Sequence, residues 1–258
     1  MCPPEYFTVE YAINPWMDTA TPVDTELAVK QWTRLRELLL DLGHTVHELA
    51  PEPGLPDMVY AANGAFSVGG VVYGARFRYP QRAAEALAHQ RFYESDPRWR
   101  YVAAGEVNEG EGDFAYARGL ILAGYGFRTE PAAHARAQEV LGRPAISLRL
   151  VDPRFYHLDT ALGALDDGNV AYYPGAFSAG SQRVLRSLFP DAVIADERDA
   201  LAFGLNLVSD GRHVLLPGEA SGMAAKLSAI GYRPVPVELG ELRKGGGSVK
   251  CCVAELRP

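Results

Sequence analysis

The chain has 258 residues, of which 48% are hydrophobic and 22% charged, which places it in the globular class with enough length to bury a substantial core as one domain spanning 1–258. A formal net charge of −7, with no run of five or six like charges, excludes a phosphate-tracking nucleic-acid surface and makes a small molecule the expected partner. There is no apolar stretch of about 18 residues and no basic-then-apolar leader, so no membrane partner is expected and a cytoplasmic protein is.

The elements follow one plan along the chain. The amino-terminal part reads FTVEYAIN (7–14), a helix at about 24–42, and the strand HTVHEL (44–49). A hairpin over 59–77 then turns at Gly69-Gly70, followed by a helix near 81–94 and the strand RYVAAG. The next hairpin, 112–127, turns at Arg118-Gly119 and leads to a helix at about 130–142 and the strand AISLRLV. The hairpin over 157–174 carries the strong turn DDGN and is followed by a helix near 178–189 and AVIAD. A last hairpin, 205–218, turns at Asp210-Gly211 before a helix over roughly 219–231 and RPVPVEL. The carboxyl-terminal GSVKCCVAEL is strand-like and, joined to the amino-terminal elements, makes a fifth hairpin–helix–strand unit.

Five pseudo-repeats of ββαβ type, closed into a ring through both termini, predict a five-bladed α/β propeller, an arrangement that hides sheet edges. An ordinary α/β sandwich of mixed strands fits the same pattern.

In a ring, the start of each hairpin should approach the central axis, and polar residues interrupt the apolar pattern there. They are Asn63 in the first hairpin unit, Glu109 and Asp113 in the second, His157 and Asp159 in the third, and Cys251 in the closing unit. Cysteine with a distant histidine is the usual shape of a thiol nucleophile and its acid/base partner, although a buried structural cysteine is the plainer alternative. In a strand, His157 and Asp159 would share one face, so the carboxylate could orient the imidazole or clasp a cation; a solvated strand end is the alternative. Glu109, Glu111 and Asp113 form either a solvated loop or a clamp for a planar guanidinium. Arg82 and Arg128 are candidates for an anionic substrate end, or else surface arginines. Cys2, Cys251 and Cys252 are an odd set, read as free thiols, and strand alternation would send Cys251 and Cys252 to opposite faces. HExxH, paired CxxC and GxxxxGK[ST] patterns are absent, so neither a metal nor a cofactor is expected.

Taken together, YAINPWMD (11–18), PDMVYAANGAF (56–66), NEGEGDF (108–114), GYGFRT (124–129), FYHLDTAL (155–162) and GGGSVKCCVAEL (245–256) resemble the guanidino-group-modifying superfamily over essentially the whole chain. That superfamily includes arginine deiminases, dimethylarginine dimethylaminohydrolases, arginine dihydrolases and amidinotransferases. The resemblance implies the five-bladed pentein propeller and a hydrolase of C–N bonds in linear amidines, acting on arginine or a methylated arginine. It implies Cys251 as nucleophile, His157 as general acid/base and Glu109 as guanidinium-binding carboxylate, with Asp159 supporting the pocket and Asp113 beside it. Arg82, Arg128 and Asn14 look like positions that hold the amino-acid end of the substrate in the arginine-dihydrolase branch.

Three departures matter. Glu109-Gly110-Glu111-Gly112-Asp113 stands where the family commonly has a Glu/Asp-Gly-Gly-Asp run, which leaves Glu109 and Glu111 both open as the clamp. Asn63 replaces an aspartate usual in deiminases and dimethylargininases, as in the dihydrolases that release ornithine-type products. Cys252 adjoins the nucleophile. Dihydrolase and dimethylargininase activities stand level on this reading, ahead of arginine deiminase. An amidinotransferase using an amine acceptor and a non-catalytic small-molecule binding domain are the competing classes. Apolar helix faces would suit a homodimer.

Overall fold

The computed structural model describes residues 1–257 as a mixed α/β fold with four small sheets, each of three strands. Each sheet is an antiparallel hairpin followed by a helix and a third strand parallel to the second. The first contains β1 (Ala65–Val68), β2 (Val71–Gly74), α2 (Glu85–Glu94) and β3 (Arg100–Val102). The second contains β4 (Phe114–Ala117), β5 (Leu120–Tyr125), α3 (Pro131–Leu141) and β6 (Ala145–Arg149). The third contains β7 (Leu162–Ala164), β8 (Val170–Tyr172), α4 (Ala179–Leu188) and β9 (Val193–Ile194). The fourth contains β10 (Val208–Ser209), β11 (His213–Pro217), α6 (Ser221–Ala229) and β12 (Arg233–Val237). Helix α1 (Thr25–Asp41) precedes them, while the short α5 (Glu197–Leu201) and α7 (Gly240–Arg243) are additions that the repeat did not predict.

All four hairpin turns fall where the sequence places them. The fifth unit differs. Its helix forms, with Asp24 Oδ1 accepting from Leu27 N at 2.9 Å as N-cap and Ala28, Trp32, Leu35 and Leu39 buried along one stripe. No strand forms over 7–14, 44–49 or 247–256. Prolines at 3, 4, 51 and 53 remove ladder donors around the amino-terminal segments. The carboxyl-terminal segment instead attaches to the first sheet's hairpin, where Ser67 Oγ donates to Glu255 O at 3.2 Å and Gly70 N to Arg257 O at 3.1 Å. Residues 249–252 form a tight turn in which Val253 N donates to Lys250 O at 3.0 Å. Strand alternation therefore does not govern Cys251 and Cys252, and both are buried.

A buried ion cluster joins this last segment to the second sheet. The Glu111 carboxylate accepts from Lys250 Nζ and Arg257 Nη1, and also from Glu255 N at 3.0 Å. Removing the charge would leave Lys250 with Glu255 as its remaining ion-pair partner. A Glu111→Gln variant is therefore expected to lose about 2–3 kcal/mol, below the roughly 3–5 of a fully buried broken pair. The check is a urea melt, and a midpoint equal to that of the parent protein would show the cluster to be idle.

Candidate active site

The polar residues lie on short turns at the head of each hairpin. Asn63 belongs to a 3-10 turn, Ala61–Gly64; Glu109 directly precedes the turn Gly110–Gly112; and His157 directly precedes Leu158–Thr160. Gly110 has φ +52°, and a Cβ there would stand 2.6 Å from Ala65 O and 2.8 Å from Ala62 O, so the first two turns meet backbone to backbone. At Gly112 a Cβ would stand 2.5 Å from Asn63 Nδ2 and 3.1 Å from His157 Nδ1. Three turns thus converge on one point, as the repeat predicts, although the residues sit on turns rather than on strands.

Glu109 is 0% exposed and organises one half of the site. Its Oε2 accepts from Arg128 Nη1 at 2.6 Å and lies 2.7 Å from His157 Nε2, while Oε1 accepts from Arg78 N at 3.2 Å. Burial works to raise this carboxyl, but the Arg128 guanidinium and the His157 ring overcome it and hold the group well below the usual carboxylate range. An ionised Glu109 fixes the imidazole with Nε2–H toward itself. His157 Nδ1 is then the nitrogen available for proton transfer, and this buried atom makes no hydrogen bond within the protein. Arg128 is clamped between the Tyr79 and Tyr156 rings, 4.8 and 4.7 Å from their centroids, and donates to Ile13 O at 2.9 Å.

Cys251 organises the other half. Its Sγ lies 3.2 Å from Asp159 Oδ2, so the carboxylate meets the thiol and not the imidazole; Glu109 is the group that orients His157. Burial, with Asp159 next, pushes the Cys251 thiol well above its ordinary range. Burial also raises Asp159 to about 7, against the opposing pull of Cys251, Lys250 and Asn206. The resting sulfur is consequently a thiol donating to Asp159. The other oxygen, Asp159 Oδ1, is buried without a partner, as is Asn63 Nδ2.

The remaining expected residues take different positions. Arg82 forms a bidentate pair with Glu85 (2.9 and 2.8 Å), and its Nη1 donates to Asn63 Oδ1 at 2.8 Å, so it orients Asn63 from behind. Asp113, expected beside substrate, accepts from Leu158 N at 3.0 Å and from Thr129 N at 3.2 Å; it joins the second and third units instead. Asn14 donates to Gly245 O at 3.1 Å and accepts from Trp16 N at 2.9 Å, holding segment 13–17 against the glycine-rich loop before Cys251. Of the two open glutamates, Glu111 is neutralised by Lys250 and Arg257, whereas Glu109 lies with His157. Asn206 was not anticipated, yet it occupies the head of the fourth hairpin, where the repeat logic points. Tyr79 and Tyr156, the Arg128 clamp, have no signal beyond their neighbours in sequence.

A cavity of about 480 Å³ is bordered by His44–His47, Leu49, His89 and Val253–Arg257, and none of Cys251, His157 or Glu109 lines it. The convergent groups lie elsewhere: a buried thiol, an imidazole with one unbonded nitrogen and buried carboxylates are candidates for nucleophile, acid/base and cation partner.

No family model matches the chain. It is 54% identical over 258 residues to the N(G),N(G)-dimethylarginine dimethylaminohydrolase of Mycobacterium tuberculosis, covering 100% of this chain and 85% of the relative. It is 35% identical over 257 residues to the bifunctional arginine dihydrolase/ornithine cyclodeaminase ArgZ of Synechocystis, covering 97% of this chain but 36% of that one. A crystal structure of the N-terminal domain of ArgZ, covalently bound to a reaction intermediate, superposes with a TM-score of 0.93 at 32% identity, covering 100% of this chain and 98% of that chain. With the whole chain aligned and the fold shared, this protein belongs to the dimethylarginine dimethylaminohydrolase and arginine dihydrolase branch of the guanidino-group-modifying superfamily, hydrolases of C–N bonds in amidines.

Proposed function

We propose that the protein is an arginine dihydrolase in which Cys251 attacks the guanidino carbon, His157 moves the protons, Glu109 orients His157 and the unpartnered Asp159 Oδ1 is the acceptor left for the cation. Asn63 carries this reading. Its Oδ1 is fixed by Arg82, so its unpartnered Nδ2 is presented beside His157 Nδ1. An aspartate there would favour a cationic guanidinium over a neutral urea, whereas an amide N–H can donate to the ureido oxygen and keep citrulline bound for a second round.

In the first round Sγ bonds to the guanidino carbon and its proton passes to His157 Nδ1. His157 Nδ1 protonates one terminal nitrogen, which departs as ammonia and leaves an S-alkylthiouronium. Water, deprotonated at the same nitrogen, adds to that carbon, and the C–S bond breaks to give citrulline. Repetition on citrulline releases a second ammonia and, after loss of carbon dioxide, ornithine. The substrate cation itself favours the thiolate, offsetting the resting preference for the thiol.

The reading takes residues 1–258 as one domain, a five-bladed propeller whose fifth blade is α1 with irregular flanking segments, and places it in the cytosol, where three free buried cysteines stay reduced. A second reading, dimethylargininase, is favoured by the name of the 54% identical relative. Mass spectrometry of products separates them. Ornithine with two ammonia per arginine supports the dihydrolase, and citrulline with dimethylamine from asymmetric dimethylarginine supports the alternative. An Asn63→Asp variant is expected to stop at citrulline; an unchanged ratio of ornithine to citrulline would discard the argument from Asn63.

A further inference from the structure

Asn206 is buried, 0% exposed, and lies at the head of the fourth hairpin, between α5 and β10 and 45 residues before Cys251. Its side chain is committed on all sides. Oδ1 accepts from Cys251 N at 3.2 Å, and Nδ2 is 3.2 Å from both Cys251 Sγ and Asp159 O, one N–H for each. Its carbonyl also accepts from Lys250 N at 3.3 Å. The amide thus grips the nucleophile by its backbone and its sulfur, and grips the neighbouring unit that supplies Asp159.

Resting on the thiol mechanism above, we propose that Asn206 is a positioning residue that stabilises the Cys251 thiolate as it forms and aims it at the substrate carbon. The physical reason is an asymmetry between protonation states. A thiol accepts an N–H bond weakly, while a thiolate accepts it as a charge-assisted bond of about twice the strength. Asp159, by contrast, accepts the hydrogen bond of the thiol and opposes the thiolate. The titratable groups around the sulfur are Asp159, Cys252, Tyr60 and Tyr156, all of which work against an anion there when ionised. Asn206 supplies the side-chain donor in contact with the sulfur, beside a backbone hydrogen bond from Ser248, and its second N–H fixes the amide plane so that this donor cannot rotate away.

The test compares Asn206→Asp, which retains the acceptor for Cys251 N and loses the donor, with the neutral Asn206→Ser. For each, kcat and KM are measured together with the pH profile of Cys251 alkylation by iodoacetamide in the unliganded protein. Both variants are expected to lose roughly 10- to 100-fold in kcat, with KM held within about threefold and the alkylation profile moved to higher pH by at least about one unit. An alkylation profile coincident with the parent in both variants overturns the proposal, as does a loss confined to thermal stability. If neither variant folds, the side-chain amide resonance of Asn206 is followed in 15N-labelled parent protein as the thiol titrates; a shift supports the proposal and its absence overturns it. Alkylation needs no turnover, so a parent protein without activity on arginine would defeat the assigned reaction and still leave this inference decided.

Discussion

A Cys251→Ser variant is expected to lose at least about 10⁴-fold in turnover while continuing to bind arginine, because a serine hydroxyl at this site has no base strong enough to ionise it. The nearest carboxylate, Asp159, is 3.2 Å from the sulfur and is itself pushed up to about 7 by burial; it can accept a hydrogen bond but does not hold an alkoxide in place. Glu109, Arg128 and His157 make no contact with the sulfur, and Asp159 Oδ1 keeps its free acceptor in the variant, so the cation should still dock. Arginine at about 100 times its Kd would then stabilise the variant by roughly 2.7 kcal/mol, visible as a raised Tm. Intact-mass measurement completes the test. The parent protein should show a transient adduct at Cys251 during turnover and the variant none. Ammonia release by the variant at a rate near the parent's would remove Cys251 from the mechanism.

A Glu109→Gln variant should suffer in both stability and rate. Glu109 is the counter-charge of Arg128, which is 2% exposed, and the group that sets the tautomer of His157. Without the charge, a buried guanidinium is left among Tyr79, Tyr156 and a backbone carbonyl, at a cost of about 3–5 kcal/mol, or a Tm lower by roughly 10 °C. The imidazole loses its orienting anion, and a fall in kcat of about 100-fold or more is expected. The pH dependence carries its own sign. Because the folded-state value of Glu109 is depressed, its stabilising contribution is fully present above the unfolded carboxylate value near 4.3 and is lost as pH falls toward the folded value. The stability gap between parent and variant should therefore be constant from pH 5 to about 7 and narrow on acidification below about 4. A gap that persisted unchanged in acid would show that shape, and not charge, is what Glu109 contributes.

The sequence by itself determined the order of elements, the positions of the hairpin turns and the identity of the convergent residues. Those properties are local, or follow from a repeat. Alternation and turn residues such as Gly69-Gly70 and Asp210-Gly211 act over a few positions, and four hairpin–helix–strand units obey them. Asn63, Glu109, His157 and Cys251 stood out because an apolar hairpin head has no structural use for them.

Partnership was decided only by the tertiary structure. Nothing local distinguishes Glu109 from Glu111; Lys250 and Arg257, about 140 residues away, neutralise one and leave the other to Arg128 and His157. His-Leu-Asp reads as a strand with two residues on one face, yet its turn sends His157 to Glu109 and Asp159 to Cys251. The carboxyl-terminal segment forms no strand and is held instead by the first sheet's hairpin, whose Ser67 Oγ and Gly70 N donate to Glu255 O and Arg257 O, and Asn206 joins the site because the tertiary fold brings the fourth hairpin against Cys251. Long-range charge pairing and the meeting of chain ends depend on the folded geometry as a whole, whereas periodicity and turn chemistry are written residue by residue.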